Sequence, residues 1–265
     1  MCAMASARTL APQRAVLVCL LGAFRIVKNG APMPLRPGGK VEQFVGALAL
    51  EGAHGVPRDE LLERIWPGGD PALAAQSLNS LSHWLNRNLS DALDGSSPIV
   101  HKGGRYSLNT EGGLAVDVIE FEALLETAEL LGSDGRIGAA IDSYHRALTM
   151  YAGDLGGGSD VAHLLERERL RARFLTALSR LADHYFSVGD YRRSLTSALE
   201  LLRTDPCRED AHRVAMRCYV RTGARAQALR QYRLCETVLA KEFDAVPEPA
   251  TESLYELVRA NPHQV

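Results

Sequence analysis

Two segments, YFSVGDYRRSLTSA at residues 185–198 and YVRTGARAQALRQY at residues 219–232, decide the fold of the C-terminal half of this 265-residue chain. The second repeats the pattern of the first at an offset of 34 residues, which is the length of a unit built from two antiparallel helices. In each copy a glycine lies between two amphipathic runs, where a left-handed backbone ends one helix before the next begins. The matching positions are Tyr185 with Tyr219, Gly189 with Gly223, and Ala198 with Tyr232.

An earlier and weaker copy of the pattern carries Gly135, Ala140 and Tyr144. Small and aromatic residues at these spacings fill the seam between paired helices, and about three units are needed to form a shared core. The pattern therefore predicts a tetratricopeptide-like α-helical repeat domain, which we place at residues 114–261. Such a scaffold presents a surface to a partner, and its tyrosines are expected to pack in the seams rather than to bind a ligand.

The N-terminal half follows a different pattern, in which short strands alternate with amphipathic helices. Alternating apolar residues from Ala15 to about Leu35, with a turn at Asn29-Gly30, predict a small antiparallel sheet. The elements that follow are predicted helices over residues 40–50, 57–66 and 71–93, and a hairpin with glycines at its tip over residues 99–108. Together these elements make a winged helix-turn-helix domain.

The predicted fold is mainly α with a small β component. It consists of an N-terminal tail at residues 1–14, the winged helix-turn-helix domain at residues 15–113 and the repeat domain at residues 114–261. Trp66 is expected in the core of the first domain. Gly156 to Ser159, a run of three glycines and a serine, is expected to form a flexible connection before the next repeat.

The composition is that of a soluble globular protein, with 46% hydrophobic residues and a formal net charge of −2. This charge gives no overall attraction to a polyanion, so any contact with nucleic acid must use a local patch. The longest apolar run, Ala15 to Phe24, is about half the length that a bilayer requires and is typical of a buried strand. Five cysteines without a CxxC pair favour reduced thiols, and the chain shows no secretory signal, so we expect it in the cytoplasm.

No motif in the sequence indicates catalysis. Gly38-Gly39-Lys40 lacks the upstream glycine and the following Ser or Thr of a phosphate-binding loop, and the eight histidines form neither HExxH nor a cluster with cysteine. We therefore predict that the protein is not an enzyme, holds no metal or cofactor and does not enter the membrane.

Several segments of the N-terminal half follow each other in an informative order. They are Leu21-Gly22-Ala23-Phe24, Arg58-Asp59-Glu60-Leu61 with Trp66, the stripe Leu78, Ser82, Leu85 and Leu89, and Gly103-Gly104-Arg105-Tyr106-Ser107-Leu108. In order and spacing they resemble the winged-helix domain of OmpR-type response regulators. More closely, they resemble the antibiotic regulatory proteins of the SARP family.

The C-terminal half extends this resemblance, which covers roughly residues 15–260. Asp117 to Phe121 resembles the start of the bacterial transcriptional activator domain of that family, residues 205–212 and 219–232 resemble its most recognisable repeat, and residues 242–249 resemble its closing turn. The resemblance implies a transcriptional activator that binds repeated elements of double-stranded promoter DNA, as a possible homodimer, and recruits RNA polymerase. The operator, the oligomeric state and any small-molecule effector stay open.

A winged helix reads DNA by laying its third helix in the major groove while the wing contacts the backbone. Since the stripe that begins at Leu78 is expected to face the core, the opposite side of the third helix is expected to face DNA. The residues predicted there are Asn79, Ser80, His83, Trp84, Asn86 and Arg87. Phosphate contacts are predicted for His101, Lys102 and Arg105 on the wing and for Arg36 and Lys40 before the first helix.

This chain departs from the family in its basic residues. Family members usually carry two or three arginines on the outer face of the recognition helix, roughly where this chain has Trp84 and Asn86, and here only Arg87 remains. From Ala15 to Glu111, nine Lys and Arg are balanced by nine Asp and Glu. Two interpretations follow: a DNA-binding regulator that depends on dimerisation and partners, or an adaptor or ligand sensor with a degenerate winged helix, in which Trp84 anchors a protein interface.

Overall fold

The computed structural model describes residues 14–158 and 161–265, which divide into two compact units, one up to Leu170 and one from Arg171 onward. Of the predicted tail, residues 1–14, only Arg14 lies within the described residues. The elements of the first unit are β1 (Val16–Cys19), β2 (Arg25–Lys28), β3 (Ala31–Pro32), α1 (Lys40–Glu51), β4 (Val56–Pro57), α2 (Arg58–Ile65), α3 (Pro71–Leu89), β5 (Ile99–Lys102), β6 (Arg105–Leu108), β7 (Leu114–Val116), α4 (Asp117–Ser133) and α5 (Ile137–Met150).

Helix α6 (Val161–Ser187) runs across the boundary between the units. The second unit continues with α7 (Tyr191–Thr204), α8 (Glu209–Arg221), α9 (Arg225–Phe243) and α10 (Pro249–Ala260). The prediction of a mainly α fold with a small β component is confirmed. No helix in the described part of the chain is long and apolar enough to cross a membrane.

A four-stranded sheet in the order β3-β2-β1-β7 opens the first unit. β1 pairs antiparallel with β2 and parallel with β7, and the predicted turn at Asn29-Gly30 leads from β2 into β3 with φ angles of 51° and 81°. Val16, Val18 and Ile26 are fully buried, because alternate residues of a strand point to the same face.

Helices α1, α2 and α3 pack around a core that includes Phe44, Leu48, Leu61, Ile65 and Leu78, all fully or almost fully buried. A second sheet, in the order β4-β6-β5, contains the wing hairpin. Gly103 and Gly104 form the tip of this hairpin with φ angles of 59° and 75°, which favour glycine. This arrangement is the predicted winged helix-turn-helix.

The expectation that Trp66 lies in the core is wrong. α2 ends at Ile65, one residue earlier than predicted, so Trp66 lies in the turn that follows and is only half-buried. The ammonium group of Lys40 lies 5.6 Å from the centroid of the Trp66 ring. Trp66 therefore lies partly at the surface, where its ring interacts with the Lys40 cation.

Asp117, the buried first residue of α4, joins the N-terminal sheet to the first helical pair. Its carboxylate accepts hydrogen bonds from the backbone N–H groups of Leu20 and Leu21, both at 2.9 Å, and of Val118 at 2.8 Å. Burial raises the pKa of Asp117, and these three N–H groups act in the opposite direction. The motif that begins at Asp117 therefore fixes the end of β1 to the start of α4.

The segment after α5 lies against the same end of β1. The backbone N–H of Gly22 donates to the carbonyl of Asp154 at 3.0 Å, and the N–H of Gly156 donates to the carbonyl of Leu20 at 3.1 Å. A Cβ atom on Gly156 would lie 2.7 Å from the carbonyl oxygen of Gly22, so this approach requires glycine. The expectation of a flexible connection is therefore wrong at Gly156, and Ser159 lies outside the described residues.

These contacts explain why the first compact unit extends beyond residue 113, where the sequence predicts a domain boundary. β7 pairs with β1, Asp117 binds the end of β1, and the segment after α5 packs on Gly22. The first helical pair is thus packed in the same compact unit as the winged helix, and the division between compact units falls between Leu170 and Arg171.

The second unit is built from the predicted pairs of helices. Gly189 between α6 and α7 and Gly223 between α8 and α9 have φ angles of 80° and 77°, as the sequence predicts. Tyr185 and Tyr232 are buried and Tyr219 is half-buried, which places these side chains in the packed interior. Tyr232 also stacks on a tyrosine of α10, with ring centroids 4.0 Å apart.

Candidate nucleic-acid interface

Helix α3 is fixed by its first residues and by one apolar face. The side chain of Asp70 accepts a hydrogen bond from the backbone N–H of Leu73 at 2.9 Å, and Pro71 occupies the first turn, where no N–H donor is needed. The buried side chains of the helix are Ala74, Leu78, Leu85 and Leu89. Ser82, on the same stripe, is half-buried and donates to the carbonyl of Leu78. The opposite face of α3 is therefore turned outward.

This outward face forms a shallow groove of about 450 Å³, lined by Gln76, Asn79, Ser80, His83, Trp84 and Arg87. All six side chains are exposed except that of Trp84, which is half-buried. Five of the six residues predicted on this helix thus share one surface. The sixth, Asn86, is exposed beside the groove and does not line it.

Most polar side chains of this face keep their hydrogen-bonding capacity. Ser80 donates its hydroxyl hydrogen to the carbonyl of Gln76 at 2.9 Å and retains its oxygen as an acceptor. Asn88, at the edge, donates to the carbonyl of Trp84 at 2.7 Å and so serves the helix itself. Within residues 14–158 and 161–265, no hydrogen bond or ion pair engages the side chains of Gln76, Asn79, His83, Asn86 and Arg87.

Lys28 on β2 is tied to the end of α3. Its ammonium group donates to the carbonyl of Asn88 at 2.8 Å and lies 2.6 Å from a carboxylate oxygen of Asp91. The hydrogen bond from Lys28 lowers the pKa of Asp91. A cation at the carboxyl end of a helix is stabilising, and this one holds α3 against the sheet.

The wing presents one unengaged cation. Lys102 is exposed and has no ion pair in the described part of the chain, while His101 stacks on Tyr106 with ring centroids 4.3 Å apart. Arg105 donates from Nε to the carbonyl of His54 at 2.8 Å and from a terminal nitrogen to the carbonyl of Gly55 at 2.7 Å. Arg105 therefore fastens the wing to the segment before β4, and the phosphate contact expected for it stays a prediction.

Arg36, which precedes α1, and Lys40, the first residue of α1, differ from each other as the two wing cations do. Lys40 donates to the carbonyl of Ile65, at the end of α2, and to the side chain of Gln43. It thus caps α2, and the contact with the DNA backbone expected for it stays a prediction. Arg36 is exposed, and its guanidinium has no partner among the described residues.

Three of the predicted cations, Arg36, Arg87 and Lys102, are therefore unengaged on a domain with balanced charge. Amide, hydroxyl and imidazole groups outnumber cations on the groove, so the surface is suited to hydrogen bonds with base edges more than to attraction of phosphates. Across residues 14–158 and 161–265, no three His, Cys, Asp or Glu side chains are grouped to hold a metal ion.

Gln76 is the groove residue that is missing from the sequence-based prediction. It lies four positions before Ser80, so extension of the outward stripe by one helical turn leads to it. No sequence pattern indicates that Lys28, Lys40 and Arg105 anchor neighbouring segments, because the acceptors of their hydrogen bonds are backbone carbonyls far away in the sequence.

Comparison with known proteins identifies the region after the wing. The model of the bacterial transcriptional activator domain matches residues 116–259, which is more than half of the chain. The match begins one residue before Asp117 and continues through the helical pairs of the second unit.

Similar proteins are regulators. Regulatory protein DnrI of Streptomyces peucetius is 24% identical over 238 residues, covering 84% of this chain and 85% of DnrI. Transcriptional regulatory protein MoaR1 of Mycobacterium tuberculosis is 25% identical over 244 residues, covering 91% of this chain and 78% of MoaR1. Regulatory protein AfsR of Streptomyces coelicolor is 24% identical over 221 residues, but this chain spans only 22% of its length.

The fold is also found in a solved structure. Mycobacterium tuberculosis EmbR, determined in complex with a low affinity phosphopeptide, matches with a TM-score of 0.69 and 20% sequence identity. The match covers 92% of this chain and 65% of the EmbR chain, so EmbR contains a further region. At this identity the similarity shows the shared fold. The domain match over residues 116–259, together with the regulators above, shows that the chain belongs to the SARP family of transcriptional regulators, which carry a bacterial transcriptional activator domain.

Proposed function

We propose that this protein is a DNA-binding transcriptional activator that reads repeated promoter elements through its winged helix. The observation that carries this proposal is the outward groove of α3, where five of the residues predicted to contact DNA lie together. The groove lies on the third helix of a winged helix-turn-helix, the element that enters the major groove in this class of domain.

The chemistry of the groove supports base recognition. Asn79 offers a donor and an acceptor side by side, which match the edge of adenine, and Arg87 can pair with guanine or with a phosphate. Lys102 on the exposed wing is available for a phosphate of the backbone. Arg36 adds a second exposed cation before α1.

The scarcity of cations limits the affinity of one copy. Each phosphate contact steepens the dependence of binding on salt by about one unit, and few such contacts are available here. Two copies on adjacent repeats gain affinity because the second binding event is intramolecular. We therefore propose that the protein acts in the cytoplasm as a dimer on paired elements, and that its helical repeats contact RNA polymerase.

Titration of the full chain with duplex fragments of its own genome at low salt tests this function. Specific fragments are expected to bind, and Arg87→Ala is expected to weaken specific binding by about 1 to 3 kcal/mol. Arg192→Ala, which removes an exposed arginine of α7, is the matched control and should bind as the wild type does. Absence of binding to any fragment would contradict the proposal, and in-vitro transcription with RNA polymerase tests activation.

An adaptor that does not bind DNA is the second candidate. Trp84 favours it, because a half-buried indole at the edge of a groove is typical of an anchor in a protein interface. The nine basic residues balanced by nine acidic ones between Ala15 and Glu111 also favour it. The two candidates differ in what happens when a cation replaces Trp84.

A further inference from the structure

Gln76 lies in the second turn of α3, on the outward side of the helix. It shares the groove with Ser80, His83 and Arg87, which follow it at intervals of four, three and four residues and so continue the same line along the helix. Its side chain is exposed. Residues in the first half of a recognition helix are those that reach base edges in helix-turn-helix domains.

The side chain of Gln76 has no task in the fold. The helix begins with the cap from Asp70 and is held by its buried apolar side chains, and Gln76 contributes only its backbone carbonyl, which accepts from Ser80. In the described part of the chain its carboxamide has no hydrogen-bond partner. Neighbouring polar groups differ in this respect, because Asn88 and Lys28 are both engaged at the end of the helix.

A free carboxamide at this place has a defined ligand chemistry. It carries an N–H donor and an oxygen acceptor in one plane, and adenine presents a complementary N7 acceptor and N6 donor in the major groove. An uncharged group releases no counterions from DNA, so its contribution to binding depends on the base and not on the backbone. On a face with few cations, such groups decide the sequence that is bound.

We infer that Gln76 reads an adenine in the major groove and is a determinant of sequence specificity. This inference rests on the proposed function, since it requires α3 to enter DNA.

Selection of bound sequences from a pool of random duplexes, with the full chain at low salt, tests the inference. The wild type should select adenine at a position where Gln76→Ala loses the preference, with a decrease in discrimination of about 5-fold to 150-fold. Gln76→Arg should change the preferred base at that position to guanine. Gln227→Ala, which removes an exposed glutamine of α9, is the matched control and should select as the wild type does.

The outcomes separate this inference from the proposed function. If the wild type selects a sequence and Gln76→Ala selects the same one with the same discrimination, Gln76 reads no base, although the protein binds DNA. If the wild type binds DNA without any preference, the inference is likewise overturned. If the wild type recovers no DNA at all, both the inference and the proposed function fail. Unchanged thermal melting of Gln76→Ala, expected for an exposed side chain, assigns its effect to recognition.

Discussion

Gln231 of α9 donates a hydrogen bond from its side-chain amide to Nδ1 of His212 of α8, at 2.8 Å, in the interior of the second unit. The other ring nitrogen of His212, Nε2, lies 2.9 Å from the carbonyl oxygen of Pro206, so it must carry the proton and donate. This pairing fixes the neutral form of the imidazole in one tautomer. If Nδ1 were protonated, its N–H would point at the N–H of the Gln231 amide, and the hydrogen bond between the two side chains would be lost.

The second unit is therefore expected to lose stability in mild acid. Burial lowers the pKa of His212 below its ordinary value of 6.5, so the unfolded chain binds a proton first as the pH falls. The stability that neutral His212 contributes to the folded state is fully present above about pH 6.5, and it is lost as the pH falls through the folded-state pKa of His212. Urea unfolding of the full chain between pH 7.5 and 5.5 measures it.

Two variants assign the effect to this residue. His212→Gln should cost about 1 to 3 kcal/mol at neutral pH, because a buried hydrogen-bond pair is lost, and should show a weaker dependence on pH. His263→Gln removes an exposed histidine near the C-terminus and should retain the wild-type dependence. An equally steep dependence in His212→Gln would contradict the assignment.

Asp117→Asn should destabilise the first unit by about 1 to 3 kcal/mol. The amide keeps one oxygen acceptor, but its NH2 group replaces the other oxygen, so at least one of the backbone N–H groups of Leu20, Leu21 and Val118 loses its acceptor and faces a donor. Urea unfolding measures the loss. Glu120→Gln, which removes a surface ion pair with Arg14, is the control and should cost less than about 1 kcal/mol. Equal stability of the two variants would show that the junction at Asp117 contributes little.

Gly223→Val should cost on the order of 1 to 3 kcal/mol. A Cβ atom at this position meets no atom within 4 Å, so the cost comes from forcing a β-branched residue to the φ angle of 77° and not from a clash. Thermal melting of the full chain measures it. Gly138→Ala in α5, where the backbone is helical and a Cβ is also unobstructed, should be neutral or slightly stabilising. Unchanged melting of Gly223→Val would contradict the strain argument.

The sequence was sufficient to predict the features that repeat along the chain. The Leu78, Leu85 and Leu89 stripe predicts both the core face of α3 and, by opposition, the outward groove, because a helix with one apolar face has only one orientation against a core. Gly189 and Gly223 predict the helical pairs for a similar reason, since each ends a helix by a backbone geometry that favours glycine.

Contacts between distant segments could not be predicted in this way. Arg105 and Lys40 are surface cations by sequence, and the acceptors that engage them are carbonyls of His54, Gly55 and Ile65, which any residue type provides. The approach of Gly156 to Gly22 is equally hidden, because a glycine run predicts a loose segment until its packing partner is known. These contacts decide which basic residues of the winged helix have no partner within the described part of the chain.

The two wing cations should therefore respond differently to substitution. Lys102→Ala should weaken binding about equally on all DNA sequences and reduce the salt slope by about one unit, because an unengaged cation is lost. Arg105→Ala should instead lower thermal stability, because two hydrogen bonds that anchor the wing are lost. Binding titrations at several salt concentrations and thermal melts of both variants distinguish these effects. Identical behaviour of the two variants would refute the distinct roles given to them.

Trp84→Arg decides between the regulator and the adaptor. If α3 enters DNA, a cation at the edge of the groove restores an attraction to the backbone, so the variant should bind all DNA more tightly and with a steeper salt dependence. Sequence preference should narrow little, since a phosphate contact carries no base information. If Trp84 is instead the anchor of a protein interface, the variant should lose its partner, and DNA binding should be negligible with either protein. We expect tighter binding, measured by titration of both proteins on one specific and one random duplex at two salt concentrations. No binding by either protein, together with loss of a captured partner in the variant, would replace the regulator with the adaptor.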